Sequence, residues 1–279
     1  MQSILRTKSI RKIMSRFKNK RVLITGGASG IGRIMGKLAL EKGAELIIWD
    51  INPQSIEETV TELQHLGKVT AYVVDISDID QIKTIATKVK LECGTVDILI
   101  NNAGIVVGKY FDHHSTADIK CTMDINASAP MYVTAEFLSQ MIIQKSGHIC
   151  NIASSAGFIS NPRMSVYAAS KWAVIGWSDS LRLEMKMRKT GVNVSTVTPY
   201  YISTGMFAGV KSLIPLLKPD KVAIRIVNGI ERNRVLISMP FSMHFIRICQ
   251  GLLSIQLFDW VAGSVLQIYK TMDHFTGRT

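Results

Sequence analysis

The chain has 279 residues, of which 47% are hydrophobic, and a formal net charge of +12 at pH 7. This length suits one large α/β domain, and the hydrophobic content supports a sizeable core, which argues against a disordered protein. The 4 cysteines are scattered and form no Cys-x-x-Cys pair. They favour reduced thiols in a cytosol-like compartment and give no support for a metal site.

Much of the positive charge lies in residues 1–20, which contain no acidic residue. Ile10, Ile13, Met14 and Phe17 recur there at helical spacing, a basic amphipathic pattern suited to an anionic membrane surface. A solvated, frayed terminus or an organelle transit peptide would show the same pattern. Because the excess charge is concentrated here and no aromatic-interleaved basic face is evident, we expect no nucleic-acid partner.

A strand and a glycine-rich loop follow this segment. Residues 21–25 form an apolar, β-branched run typical of a buried strand, and a helix is expected from about residue 31 to residue 42. Between them, Gly26, Gly30 and Gly32 would let the backbone approach a pyrophosphate at the helix N-terminus. A glycine-rich loop alone is weak support, because many turns look like this one.

The next strand, expected over residues 45–49, ends at Asp50. A carboxylate there accepts hydrogen bonds from both hydroxyls of an adenosine ribose and repels a 2′-phosphate, so the sequence predicts NAD in preference to NADP. Ser29 and Ile51 offer that phosphate no basic partner. The structural alternative is that Asp50 caps the helix that begins near Asn52 and Pro53.

Strands and helices then alternate as far as residue 238. Strands are expected over residues 68–74, 96–100, 147–153, 192–198 and 234–238, and helices over 79–91, 116–144, 166–188 and 221–231. This alternation predicts a single α/β domain with a doubly wound parallel sheet and helices on both faces. The ends of two strands, at Asp75-Ile76 and at Asn101 to Gly104, suit a ligand crevice.

Candidate catalytic residues follow the fifth strand. Tyr167 and Lys171 lie one turn apart on a helix, and the lysine ammonium is expected to favour the phenolate, so that Tyr167 exchanges a proton near neutral pH. The hydroxyl of Ser154 could hold the substrate oxygen. Asn126 lies in an apolar stretch, where by itself it is typical of a satisfied interior amide.

These motifs together, in order from about Val22 to Thr204, resemble the short-chain dehydrogenase/reductase family. The resemblance implies a Rossmann sheet, a bound NAD(P) and hydride transfer at C4 of the nicotinamide. It implies that Tyr167 is the acid/base, Ser154 orients the substrate oxygen, Lys171 binds the nicotinamide ribose and keeps Tyr167 acidic, and Asn126 holds a relay water. Family members pair through long helices, so a homodimer or homotetramer is expected.

The resemblance also implies a set of cofactor-binding residues. They lie in the glycine loop, at the ends of four strands, at the catalytic helix and after the sixth strand: Gly26, Ser29, Gly30, Ile31, Gly32, Asp50, Asp75, Ile76, Asn102, Ala103, Gly104, Tyr167, Lys171, Pro199, Ile202 and Thr204.

One departure from the family pattern is Tyr200, because a Pro-Gly pair is usual where this chain has Pro199-Tyr200. With Trp49 to Asn52, Thr204 to Phe207 and Met272 to Arg278, it resembles the membrane- and lipid-droplet-associated retinol and 17-beta-hydroxysteroid dehydrogenases, which prefer NAD. This branch implies a lipophilic substrate and a cytoplasmic enzyme with a peripheral membrane contact.

Residues 239–269 are almost all apolar, but the runs between charges are shorter than the roughly 20 residues of a membrane-spanning helix. They are expected to be core helices over the substrate pocket, an oligomer contact or an interfacial membrane patch. The predicted organisation is a basic amphipathic segment (1–20), a Rossmann-type catalytic domain (21–238) and an apolar helical extension (239–279).

The leading hypothesis is an NAD-dependent oxidoreductase that acts on a lipophilic alcohol or carbonyl, such as a retinoid, a steroid or a long-chain secondary alcohol. Two alternatives stay open: a short-chain dehydrogenase for a polar substrate (a sugar, polyol or acyl intermediate), and a membrane-surface protein that binds NAD(H) and a lipid without turnover. One fold supports all of these substrates, since variable loops build the pocket.

Overall fold

The computed structural model describes residues 16–277, and its central feature is one parallel sheet. Its seven strands are β1 (Arg21–Thr25), β2 (Glu45–Asp50), β3 (Val69–Val73), β4 (Ile98–Asn101), β5 (Gly147–Ile152), β6 (Val192–Pro199) and β7 (Leu236–Met239). They lie in the order β3-β2-β1-β4-β5-β6-β7. Because the order reverses between β1 and β4, a crevice opens there at the carboxyl ends of the strands.

The helices that follow the strands include those predicted over residues 31–42, 79–91, 166–188 and 221–231, each within two residues of its expected bounds. They are α1 (Gly30–Glu41), α2 (Pro53–Leu63), α3 (Ile79–Glu92), α4 (Thr116–Met123), α5 (Ala129–Ile143), α6 (Ser165–Met187), α7 (Pro219–Glu231), α8 (Met243–Leu252) and α9 (Ile255–Trp260).

Both faces of the sheet are apolar and both are covered. In β1, Val22 and Ile24 join a core cluster with residues of α1, α2 and α7, whereas Leu23 joins the opposite cluster with residues of α3, α5 and α6. Successive strand side chains point to opposite faces, so a strand of continuous apolar residues requires helices on each side. The predicted doubly wound α/β fold is therefore confirmed.

The helical stretch predicted over residues 116–144 is confirmed as far as residue 143, but it is not one regular α-helix. A π-helical turn, Asp124–Ser128, separates α4 from α5, and Pro130 lies in the first turn of α5. Proline has no N–H to donate and its ring clashes with the preceding turn, which accounts for the altered hydrogen bonding at this position. Asn126 lies in the π turn, a distortion that often marks functional sites.

The described part of the basic N-terminal segment packs on the domain. Phe17 is fully buried in the core, the Asn19 N–H donates to the Gly43 carbonyl over 2.8 Å, and Lys20 pairs with Asp97 over 2.7 Å. The sequence had suggested that Phe17 belongs to an exposed amphipathic face, and its burial corrects that expectation. Residues 1–15 lie outside the described part of the chain, and the amphipathic helix predicted there stays a prediction.

The C-terminal extension packs by one side only. Met243 at the start of α8, Ala262 and Ile268 are buried, whereas Leu252 and Ile255, between α8 and α9, are more than three-quarters exposed. Within residues 16–277, every helix is too short or too polar to cross a membrane.

Candidate functional site

A cleft of about 270 Å³ runs along the carboxyl ends of the central strands. The loop between β1 and α1 lines one end, and the start of α6 lines the other. All but two of the residues proposed from the sequence line this cleft; the exceptions are Gly32 and Asn126.

The glycine loop fits closely against the segment that follows β4. At Gly32, a Cβ atom would lie 2.1 Å from the Gly26 carbonyl oxygen and 2.7 Å from Nδ2 of Asn102. No side chain can be placed there without moving backbone. Gly32 is buried against the loop rather than exposed in the cleft, so its contribution is to let the loop close on Asn102.

Asn102 connects β4 to this loop. Its Nδ2 donates to the carbonyls of Thr25 and Gly26, each over 3.0 Å, and its own N–H donates to Oγ1 of Thr25 over 3.0 Å. The Ala103 N–H reaches the same hydroxyl over 3.2 Å. These bonds fix the loop backbone, and the N-terminus of α1 behind it supplies N–H donors and a partial positive charge for an anion.

Asp50 is held at the end of β2 by two backbone donors. One carboxylate oxygen accepts from the Ala28 N–H over 3.0 Å and the other accepts from the Asn52 N–H over 3.2 Å. Asn52 is the residue that caps α2, because its side chain accepts from the Ser55 N–H over 2.9 Å. The helix-cap alternative for Asp50 is therefore wrong, and its carboxylate lies at the cleft beside Ile51.

Asp75 and Ile76 lie beyond Asp50 along the same wall. Oδ1 of Asp75 accepts from the N–H and the hydroxyl of Ser77, over 2.8 Å and 2.7 Å, and Ile76 is buried. Both residues line the cleft. Together with Asp50 they form an end with carboxylates, whereas the opposite end carries an amine and a phenol.

Ser154, Tyr167 and Lys171 come together at that opposite end. Tyr167 and Lys171 are both buried on one face of α6, and Nζ of Lys171 lies 5.7 Å from the centre of the phenol ring. The ammonium donates to the Ile152 carbonyl over 3.0 Å, and Oγ of Ser154 accepts from the Ala156 N–H over 3.1 Å. The end of β5 thus fixes both partners of Tyr167.

Burial dominates the protonation of this pair. It raises the pKa of Tyr167 from 10.0 to about 12, and the Ser154 hydroxyl offsets part of the rise. It lowers the pKa of Lys171 from 10.5 to about 8. Burial therefore opposes the phenolate in the chain by itself. The expectation that Lys171 keeps the phenol acidic stays a prediction.

Asn126 lies behind the lysine. Its Oδ1 accepts from the Ile105 N–H over 2.8 Å, and its Nδ2 donates to the Ile105 carbonyl over 2.9 Å and to the Ser170 hydroxyl over 3.2 Å. A Cβ atom on Gly104 would lie 3.1 Å from Oδ1 of Asn126 and 3.5 Å from Nζ of Lys171. The bare face of Gly104 therefore opens onto both side chains.

Pro199, Ile202 and Thr204 line the cleft after β6, next to aromatic residues that the sequence reasoning had not assigned to the site. The ring centre of Phe207 lies 6.3 Å from that of Tyr167 and 5.0 Å from that of Tyr201. Tyr200, noted as a departure from the family pattern, lies 4.7 Å from Tyr201. The unusual Pro199-Tyr200 pair and the segment from Thr204 to Phe207 were the sequence signals that pointed to this cluster.

The cleft has the chemistry that a dinucleotide requires. A carboxylate at one end suits ribose hydroxyls, N–H donors at the start of α1 suit a pyrophosphate, and Tyr167 and Lys171 at the other end suit the reacting ring and its ribose. Residues 16–277 thus provide a site that fits a nicotinamide dinucleotide, and the fit rests on the donor set rather than on the glycines alone.

Comparisons with known proteins agree with this geometry. The family model described as short chain dehydrogenase matches residues 20–213. The chain is 34% identical to epidermal retinol dehydrogenase 2 of Mus musculus over 92% of this chain and 85% of that protein. It is 37% identical to estradiol 17-beta-dehydrogenase 11 of Macaca fascicularis over 83% of this chain and 78% of that protein.

Solved structures give the same result. A short-chain dehydrogenase/reductase from Burkholderia phymatum in complex with NAD superposes with a TM-score of 0.78 and 25% identity, covering 84% of this chain and 94% of that chain. A metagenomic short-chain oxidoreductase in complex with NADP gives 0.68 and 26% identity, covering 80% of this chain and 96% of that chain.

Proposed function

Because the chain belongs to the short-chain dehydrogenase family, we propose that it is an NAD-dependent oxidoreductase that interconverts a lipophilic alcohol and its carbonyl. One observation supports this proposal above others. Ser154, Tyr167 and Lys171 meet at one end of a cleft whose other end presents the Asp50 carboxylate. This is the arrangement needed to place an alcohol against a dinucleotide.

In the oxidative direction, Tyr167 takes the hydroxyl proton and Ser154 holds the reacting oxygen. When bound, NAD supplies the hydride acceptor and a positive ring charge. Lys171, buried and fixed to the Ile152 carbonyl, stabilises the negative charge that develops on the phenol oxygen. Since the pKa of Tyr167 is raised to about 12, the phenolate fraction grows with pH, and the oxidation rate should rise from pH 7 to pH 9.

The preference for NAD rests on Asp50. Its carboxylate faces the cleft, and the neighbouring residues, Ser29 and Ile51, carry no positive charge that would offset repulsion of a 2′-phosphate. The structural relatives include complexes with NAD and with NADP, so the choice depends on this residue rather than on the family.

The lipophilic substrate class rests on what surrounds Tyr167. The phenol belongs to an apolar cluster with Met164, Tyr201, Met243 and Met272. Methionines and aromatic rings adapt to hydrocarbon shapes and offer few hydrogen bonds to a polar skeleton. The similarity to proteins named as a retinol dehydrogenase and an estradiol dehydrogenase supports the same class.

The decisive experiment is NADH formation from NAD, and separately NADPH formation from NADP, across retinol, estradiol, a long-chain secondary alcohol and a polyol. Activity with NAD on the first three is expected, and Tyr167→Phe should reduce it about 10²–10⁴-fold while NADH binding is retained. Activity on the polyol alone would favour the polar-substrate alternative. No NADH or NADPH formation with any of the alcohols, together with retained NADH binding, would favour a binding protein without turnover.

We also propose a homodimer or homotetramer that meets through α5 and α6. Tyr132 on α5 and Trp172 and Leu183 on α6 are all more than 40% exposed. Isolated surface apolar residues are ordinary, but aromatic residues on neighbouring helices are typical of contacts between subunits. Light scattering should give at least twice the monomer mass, and a monomer over the working concentration range would contradict the proposal.

A peripheral membrane contact through α8 and α9 completes the proposed function. Phe245, Ile248, Leu252, Ile255 and Trp260 are all more than half exposed. Several exposed large apolar residues on two consecutive helices are typical of a protein or membrane contact.

Flotation with phosphatidylcholine vesicles, with and without anionic lipid, tests this contact. Leu252→Ser should reduce the vesicle-bound fraction, whereas Leu91→Ser, at a similarly exposed leucine on α3, should not. Equal binding by both variants would move the contact elsewhere, with residues 1–20 as the next segment to test.

A further inference from the structure

Residues 271–276, named here the C-terminal strap, fold back over the tyrosine end of the cleft. They contact the three loops that follow β4, β5 and β6, the same loops that surround Ser154 and Tyr167. Chain segments at the carboxyl ends of parallel strands are where ligands bind in this architecture. The strap therefore packs on the loops that carry the tyrosine end of the cleft.

Backbone bonds join the strap to the loop after β6. The Lys211 N–H donates to the Thr271 carbonyl over 3.2 Å, and the Thr276 N–H donates to the Ala208 carbonyl over 3.0 Å. Between them, Gly209 has φ +80°, and a Cβ atom there would lie 1.9 Å from the His274 carbonyl oxygen. The two segments touch backbone to backbone.

Arg163 attaches the strap to the loop after β5. Its Nη1 donates to the carbonyls of Met272 and Asp273, each over 2.9 Å, and its guanidinium lies 5.3 Å from the ring centre of Tyr110 in the loop after β4. Arg163 also has φ +65°, a conformation that costs energy for a residue with a side chain. The Arg163 side chain thus connects the strap, the loop after β5 and the loop after β4.

Two side chains of the strap pack with the apolar residues around Tyr167. Met272 is buried in the same apolar cluster as Tyr167, and Phe275 packs against that cluster. A second cavity beside Ser154, lined also by Tyr200 and Phe207, has a volume of about 20 Å³. That space holds a water-sized group but no hydrocarbon skeleton. Met272 and Phe275 thus occupy part of the apolar volume around Tyr167 that a larger substrate would need.

We propose that the C-terminal strap is the movable wall of the substrate site and that Arg163 is the positioning residue that holds it closed, so that Arg163, Met272 and Phe275 set the size of alcohol that reaches Tyr167. This inference rests on the proposed function. A bulky substrate must displace the strap and break the Arg163 bonds before it binds, whereas a short alcohol need not.

Arg163→Met tests the proposal, because it keeps the length of the side chain and removes the guanidinium. The ratio of kcat/KM for estradiol to kcat/KM for 2-propanol should rise at least about tenfold, since hydrogen bonds from a charged donor no longer oppose opening. Arg163→Lys should restore part of the wild-type ratio. Arg188→Met, at an exposed position at the end of α6, serves as the control.

Hydrogen exchange of the Lys211 and Thr276 amides gives a second readout that needs no turnover. Both amides should exchange at least about tenfold faster in Arg163→Met than in the wild type or Arg188→Met. If neither the wild type nor any variant turns over an alcohol, but the two amides exchange faster in Arg163→Met, the proposed function is overturned and the role of Arg163 in holding the strap is retained. An unchanged kcat/KM ratio, an equal fall for both alcohols, or unchanged exchange would overturn the role of Arg163.

Discussion

The two ends of the cleft are built in different ways. At the glycine-loop end, Gly26 to Gly32 and Asp50 are set by short, local connections: a strand, a tight loop, a helix and the next strand. At the tyrosine end, the surroundings of Tyr167 come from loops after three strands and from the C-terminal strap. The first end is fixed mainly by backbone geometry and the second by side chains brought together from distant parts of the chain.

The difference teaches which properties of the enzyme can vary independently. A backbone-built site tolerates little change, because a side chain at Gly32 would collide with the Gly26 carbonyl. A site built from methionine and aromatic side chains can change shape through substitutions that leave the sheet intact. We therefore expect changes at one end to leave the specificity of the other end unaltered, and variants at each end test this separation.

The largest effect on cofactor selection is expected at the glycine-loop end. Asp50→Asn keeps an oxygen that can accept from the Ala28 N–H, so the loop should hold its shape, but it removes the charge that repels a 2′-phosphate. The ratio of kcat/KM for NAD to kcat/KM for NADP should fall about 10–100-fold, with the order of preference among alcohols unchanged.

The matched control for this variant is Asp75→Asn. Asp75 lies on the same wall of the cleft, but its Oδ1 is engaged by Ser77. Because this carboxylate is already engaged, Asp75→Asn should change the ratio of kcat/KM for NAD to kcat/KM for NADP less than twofold. A similar fall in both variants would mean that the general negative charge of this end, rather than Asp50, selects the cofactor.

The sequence was informative in proportion to how local each feature is. The parallel sheet, the glycine loop and the placing of Ser154, Tyr167 and Lys171 follow from runs and spacings within a few residues, and strand and helix ends differ from expectation by one or two positions. A C-terminal segment over the substrate pocket was expected, but its attachment could not be foreseen, because Arg163 and Met272 are 109 residues apart. Neither could the raised pKa of Tyr167, which depends on how deeply the phenol is buried.

Lys171 lies at the junction of the two ends, and its effect on stability should be the next largest. Its pKa is about 8 in the folded chain against 10.5 when exposed, so below about pH 8 the folded protein bears the full cost of burying the ammonium. That pKa difference corresponds to a burial cost of about 3 kcal/mol, which the substitution removes. The substitution also removes the hydrogen bond to the Ile152 carbonyl, which stabilises the wild-type fold by about 1 kcal/mol. Lys171→Met should therefore abolish turnover and stabilise the fold by about 2 kcal/mol at pH 7.

Urea unfolding from pH 7 to pH 10 provides the measurement. Because the folded pKa is the lower one, wild-type stability should rise relative to Lys171→Met as pH increases from about 8 toward 10.5, and the advantage of the variant should shrink. Lys186→Met, at an exposed position in the last turn of α6, should show no such pH dependence. If Lys171→Met were less stable than the wild type at pH 7, Lys171 would stabilise the fold and the prediction would be wrong.

Two glycines that face the strap should respond differently to the same substitution, and the smaller response is expected at Gly108, for a physical reason. At Gly209, an added Cβ meets the His274 carbonyl and φ is +80°, so Gly209→Ala must move backbone. At Gly108, an added Cβ would lie 2.3 Å from Cδ1 of Phe275, which is the end of a side chain that can rotate away. Gly209→Ala should destabilise the fold by about 1–3 kcal/mol and Gly108→Ala by less than about 1 kcal/mol.

Gly108→Ala is the sharper test of the separation because it leaves the backbone in place. The displaced Phe275 ring must move within the apolar cluster around Tyr167, so kcat/KM should change a few-fold for estradiol and less for 2-propanol, with the NAD to NADP ratio constant. Steady-state kinetics with both alcohols and both cofactors would measure this. If the cofactor ratio moved together with the alcohol ratio, the two ends would be coupled, and the substrate wall would have to be regarded as part of the same rigid structure as the glycine loop.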